Sequence, residues 1–311
     1  MTKTKKVLRN IIIAILIFVF VSFGATKIIY DSIFTRYDCN ITVNDKEIKQ
    51  LINNRQDFNY LSGKNTLSGY LYNTTKQGKK DTLIVLAPGH NACSDNYLWQ
   101  IYELIEYGWS VFVFDPTGTC NSDGKNEIGF SQEIFDLKAT LDFIETNSRF
   151  GFKNIALLGH SRGAYAACCS LSYGYDICAV VSVSGINSAM DGIIGTSSKY
   201  IGKLAYSNYG FLWLYQVMLF GEQTVNLSAD KVLSKTDVPA LIIHGENDES
   251  VPLDKFSIIS HKDEIENDKV EYIICSSPNN SGHTNLLFSK DGTADDDLIK
   301  KINDFLVKNI G

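Results

Sequence analysis

Apolar and polar positions alternate along this chain in two rhythms, one suited to strands and one to helices. Leu67-Ser-Gly-Tyr-Leu-Tyr72 switches with a period of two, as an early strand does, and Asp81-Thr-Leu-Ile-Val-Leu-Ala87 is a continuous apolar run of the kind found in strands covered on both faces. Leu98, Ile101 and Ile105 then recur at helical spacing, Trp109-Ser-Val-Phe-Val-Phe114 is a second buried strand, and Ile134, Leu137, Leu141 and Ile144 mark another helical face. Ile155 to Leu158, Ile177 to Val183, Ala240 to Ile243 and Val270 to Ile274 supply later strands. The closing segment, Asp295 to Lys308, has acids at its start and lysines towards its end, which suits a helix dipole. This alternation predicts an α/β fold, a mostly parallel sheet with helices on both faces.

Two stretches break the rhythm. Lys3, Lys5, Lys6 and Arg9 precede an uninterrupted apolar run from Ile11 to Ala25, and Ile28, Ile29 and Tyr30 extend it past Lys27. A transmembrane helix is the expectation for residues 1–30, with the amino terminus in the cytoplasm and residues 31–311 outside it. Ser22-Phe23-Gly24 is a passable cleavage site, so secretion after removal of the leader is the alternative, and a buried core helix the third reading. The second break, about residues 186–238, is dense in aromatics: Tyr200, Tyr206, Tyr209, Phe211, Trp213, Tyr215 and Phe220. It reads either as a cap over the carboxyl edge of the sheet or as a helical hairpin that buries its own rings. Lys203, Ser207, Asn208 and Glu222 interrupt its apolar pattern and argue against a second membrane contact.

With 311 residues and a hydrophobic fraction of 44%, the chain can build one large core. A net charge of −6, with no dense basic block outside the leader, argues against nucleic acid as a partner. The seven cysteines have neither the spacing of a disulfide framework nor Cys-x-x-Cys pairs, and most read as small core residues; a bridge between Cys93 and Cys120 is left open. His160, His244 and His261 show no metal-ligand spacing, and no glycine-rich nucleotide loop follows a strand, so neither a metal nor a cofactor is expected.

The chemistry concentrates in loops that leave the apolar runs, where a parallel sheet gathers its ligands. Ile155-Ala-Leu-Leu-Gly-His-Ser-Arg-Gly-Ala-Tyr165 runs from a strand through Gly-x-Ser-x-Gly into a small-residue helix, which would expose Ser161 on a tight turn that only glycine tolerates at positions 159 and 163. His244-Gly-Glu-Asn-Asp248 follows one later strand and Ser281-Gly-His283 follows another. A serine hydroxyl is a poor nucleophile at neutral pH. It needs an imidazole to take its proton and a carboxylate to orient that imidazole. Ser161, His283 and Asp248 are the candidates for nucleophile, base and orienter, with Glu246 and Glu249 as substitutes for the acid.

These motifs, in this order, resemble those of the α/β-hydrolase family, from about Leu67 to the end of the chain. The resemblance covers esterase-, lipase- and serine-aminopeptidase-like members. It implies an oxyanion hole from two backbone N–H groups, one from Arg162 and one from the loop Ala87-Pro-Gly-His-Asn-Ala-Cys93, where His90 is the candidate and Asn91 the alternative. Asp115-Pro-Thr-Gly-Thr-Cys-Asn-Ser-Asp-Gly124 is similar to another family loop, with Cys120 where glycine is usual; Asp115 and Ser122 would hold it by hydrogen bonds. The resulting expectation is a membrane-tethered serine hydrolase acting on a small acyl ester. A peptidase or amidase of the same fold and a non-catalytic envelope-associated binding module are the alternatives.

Overall fold

The structure, a computed structural model, describes residues 3–39, 41–74, 81–289 and 291–310. It begins with α1 (Lys3–Ile33), α2 (Lys46–Asn53) and a hairpin of β1 (Gln56–Ser62) and β2 (Asn65–Tyr72). There follow β3 (Thr82–Ala87), α3 (Leu98–Glu106), β4 (Ser110–Phe114), α4 (Gln132–Thr146), β5 (Asn154–His160), α5 (Arg162–Ser170) and β6 (Ile177–Val183). Five helices stand between β6 and the next strand: α6 (Ala189–Ile201), α7 (Leu204–Ser207), α8 (Tyr209–Phe220), α9 (Glu222–Val225) and α10 (Ala229–Leu233). The chain closes with β7 (Ala240–Gly245), β8 (Val270–Cys275) and α11 (Asp296–Ile310).

The eight strands form one sheet in the order β1-β2-β4-β3-β5-β6-β7-β8. β1 and β2, and β2 and β4, pair antiparallel; every other neighbour is parallel. The fully buried runs Leu83 to Ala87 and Ala156 to Leu158 alternate between two apolar layers, so each strand supplies both faces. One layer packs the sheet against α4 and α5, the other against α3 and α11. Because β3 and β5 to β8 run the same way, their carboxyl ends share one edge, and the loops carrying positions 90, 161, 248 and 283 leave from it.

The leader is not a separate piece. α1 continues three residues past the boundary expected at residue 30, and Tyr30, Ile33 and the following Phe34 belong to the core layer that holds α4 and α5. The upstream run, Ile11 to Val21, is exposed along most of its length, and α1 is the one helix among the described residues long and apolar enough to cross a membrane.

Candidate active site

The turn at Ser161 is forced by close packing. The residue sits at φ 56° and ψ −115°, a backbone state that side chains rarely adopt, between the end of β5 and the start of α5. A Cβ on Gly159 would run into the carbonyl of Gly163, and one on Gly163 into the carbonyl of Ala87 on the neighbouring strand. Both glycines are therefore needed to lay α5 against β3 and β5 and push the serine outward.

His283 Nε2 lies 2.9 Å from Ser161 Oγ, and His283 Nδ1 lies 2.7 Å from Asp248 Oδ2. Three side chains more than 30 residues apart in the chain thus form one hydrogen-bonded line. Asp248 has its other oxygen, Oδ1, held by the N–H groups of Ser250 (2.8 Å) and Val251 (2.7 Å), and His244 Nε2 approaches Oδ2 at 3.2 Å. Burial favours the protonated acid, but the contacts from His244 and His283 and the Val251 N–H outweigh it and hold the carboxyl well below its usual range. Asp248 is therefore an anion at neutral pH. Glu246 and Glu249, the substitutes considered for it, are exposed.

The loop after β3 is braced from several sides. Gly89 N–H donates to Tyr97 OH at 2.9 Å, and Asn91 N–H to Glu127 Oε1 at 3.1 Å. Asn91 is thereby engaged elsewhere, while among the described residues nothing accepts from the His90 N–H. The Arg162 side chain points away from the serine into a fully buried cluster, 2.6 Å from Glu127 and 2.9 Å from Glu133. Burial pushes Glu133 up to about 8, against the pull of Arg162, and raises Glu127 as well; the shorter contact from the guanidinium is the one to Glu127. That pair links the first turn of α5 to the Asn91 N–H. Among the described residues nothing accepts from the backbone N–H of Arg162, at the start of α5.

Two further histidines stand behind the site. His160 lies between Tyr97 OH (2.9 Å, at Nδ1) and the His283 carbonyl (3.2 Å, at Nε2), while His90 Nε2 is 3.1 Å from the Ile33 carbonyl at the end of α1. Burial, then the charge of His283 for one and Arg162 for the other, pushes both down to about 3, so both are neutral imidazoles. Asp115 does brace its loop: it accepts from the Ser94 N–H and hydroxyl at 3.0 and 2.7 Å and from the Asn121 N–H at 3.1 Å.

A cavity of about 310 Å³ opens over Ser161 and His283, walled by Phe130, Ile186 and Phe256 and, from α6, by Asp191, Lys199 and Tyr200. A larger hollow of about 630 Å³ between the β1–β2 turn and α4 shares no residue with this cluster. The structure also brings together something the spacing did not signal. The sulfurs of Cys39, Cys93 and Cys120 lie within 4.8 Å of one another as free thiols, so Cys93 and Cys120 are neighbours without being bridged.

This sheet order, with a serine on a β5–α5 turn beneath a helical insertion, is that of the α/β-hydrolase fold. Residues 78–199 match a family described as Serine aminopeptidase, S33. The fold is similar to that of the Pyrococcus furiosus esterase Pf2001, at 22% identity over 89% of this chain and 99% of the other, with a TM-score of 0.65. It is also similar to Est1E from Butyrivibrio proteoclasticus, at 16% identity over 82% and 98% with a TM-score of 0.58. A bacterial membrane phospholipase A matches at 12% identity over 98% of each chain, with a TM-score of 0.56. No curated protein matches in sequence.

Proposed function

We propose that the chain is a membrane-tethered serine hydrolase that cleaves acyl esters outside the cytoplasm through an acyl-enzyme. The observation that carries this reading is the unbroken line from Asp248 through His283 to Ser161 at 2.7 and 2.9 Å. Ser161 Oγ attacks the acyl carbon while His283 Nε2 takes its proton. The carbonyl oxygen takes up the displaced electron pair and becomes an oxyanion held by the N–H groups of His90 and Arg162. When the carbon–oxygen bond breaks, His283 returns the proton to the leaving alkoxide, and an alcohol departs. Water then adds to the acyl group with His283 again as base, which frees a carboxylate and restores the serine. Asp248, ionised throughout, fixes Nδ1 as the protonated nitrogen and balances the imidazolium.

The structurally similar esterases favour an ester over an amide, and Phe130, Ile186 and Phe256 offer an otherwise polar pocket an apolar surface for the acyl group. One observation favours the peptidase reading: the Asp191 carboxylate in the pocket wall is suited to hold a free amino group. Its Oδ2 is already occupied by the Ser188 hydroxyl at 2.6 Å. The test is turnover of short p-nitrophenyl esters and of aminoacyl amides by the full-length protein and by Ser161→Ala. Ester turnover falling at least about 10⁴-fold in the variant is expected. Amide turnover in place of ester turnover selects the peptidase reading, and unchanged turnover removes Ser161 from the reaction.

A further inference from the structure

The outward face of the cap lacks the charge that water would demand. α8 contains no acid, lysine or arginine, and its residues Leu212, Gln216 and Phe220 point into the protein. The opposite stripe carries Phe211, Leu214 and Met218 at helical spacing; Phe211 is half-buried, while Leu214 is 40% and Met218 70% exposed. On a helix surrounded by water that stripe would carry the polar residues.

What covers it follows from α1. Phe211 packs edge-on against Phe18 (5.9 Å) and Phe23 (5.3 Å), and Tyr215 packs against Tyr30 (4.9 Å). Phe18 lies seven residues before the end of the apolar run at Ala25, which at 1.5 Å per residue is about 10 Å inside it. If the run lies in hydrocarbon, Phe211 lies there too, and Leu214 and Met218 on the same stripe face lipid beside it. The polar residues that seemed to forbid this are accounted for. Asn208 gives its side-chain N–H to the Thr26 hydroxyl at 2.8 Å, and Lys203 and Glu222 lie outside α8. Exposed Lys199, Lys203 and Lys27, the last paired with Asp31, stand where long side chains reach phosphate head groups.

The mouth of the catalytic pocket borders this surface. Lys199 and Tyr200 line the pocket at the end of α6, Tyr200 is 75% and the nearby Leu204 69% exposed, and α6 packs on α1, α7 and α8. The geometry points to a cap embedded through the α8 stripe in the same leaflet as α1, so that the substrate is an ester-linked acyl chain resident in the bilayer and enters from the lipid side. This rests on the hydrolase reading for its chemistry, but not for the membrane contact.

The experiment uses the full-length protein reconstituted in phosphatidylcholine–phosphatidylglycerol vesicles, with two readouts. For insertion, Leu214→Trp is compared with Leu61→Trp, on the exposed β1–β2 hairpin, for added quenching by lipids brominated on their acyl chains. Extra quenching at 214 and none at 61 is expected; equal quenching at both sites overturns the contact. For delivery, the Leu214→Glu/Met218→Glu variant is assayed on a phospholipid ester and an acylglycerol ester, each carried in the vesicles, and on a water-soluble p-nitrophenyl ester. At least a tenfold loss on one or both bilayer esters, with soluble turnover kept within twofold, is expected, and the ester affected identifies the head group accepted. Equal rates on all three in variant and wild type overturn lipid-side entry. If the wild type cleaves no ester while position 214 is quenched, the ester-hydrolase reading fails and the membrane contact stands.

Discussion

At the scale of single residues, the buried His160 and His90 beside the site are both held neutral, each against a backbone carbonyl. The neutral buried histidines give this a measurable consequence. An unfolded chain protonates His160 near its ordinary pKa of about 6.5, whereas the folded protein resists until about 3. Between those values the unfolded state binds more protons, so stability falls as the pH drops through that window. From pH 6.5 to 5 one such histidine costs on the order of 2 kcal/mol. Asp248, whose carboxyl is held low, works in the same direction, but only below the ordinary carboxylate range near pH 4. Glu133, raised to about 8, acts the opposite way over the same range in wild type and variant alike, so the comparison isolates the histidine: between pH 7 and 5 the denaturation midpoint of His160→Gln should respond less to acid than that of wild type, and an identical pH response would show that His160 is not held neutral by burial.

At the scale of elements, the strands were legible because an apolar run in a parallel sheet is buried on both faces and needs no partner to announce itself. Ile155 to Leu158 and Ala240 to Ile243 lie inside β5 and β7, and the loops that follow them carry Ser161 and Asp248. β1 escapes the sequence reading although Phe58 and Tyr60 face inward with period two, because Asp57 and Asn59 are poor strand formers and the exposed Leu61 breaks the alternation. The Arg162–Glu127–Glu133 cluster left no local trace either. Its members come from α5, a loop and α4, and only the fold joins them. The same holds for the end of α1. Hydropathy identifies the apolar run, but not that Tyr30, Ile33 and Phe34 complete the core and that the Ile33 carbonyl meets His90. Losing those three buried side chains costs roughly 5 kcal/mol by area, an upper bound. A chain starting at residue 35 should then melt about 10 °C below one starting at residue 22. Equal melting temperatures would make the end of α1 dispensable to the catalytic domain.

At the scale of the whole molecule, the carboxyl edge of the sheet, the cap and the end of α1 meet on one side. The elbow at Ser161 places the hydroxyl there because Gly159 and Gly163 allow α5 to close on β3, and the strand order brings the loops of β7 and β8 to the same edge. Everything proposed about chemistry depends on the hydroxyl at that edge being activated by its neighbours, which an active-site-directed electrophile reports without any choice of substrate. Treating the full-length protein with a fluorophosphonate and mapping the adduct by mass spectrometry is the most direct measurement. One phosphonylated residue, Ser161, with the adduct lost in His283→Ala, is the expected result. An unmodified protein, or an adduct on another residue that persists in Ser161→Ala, would contradict it.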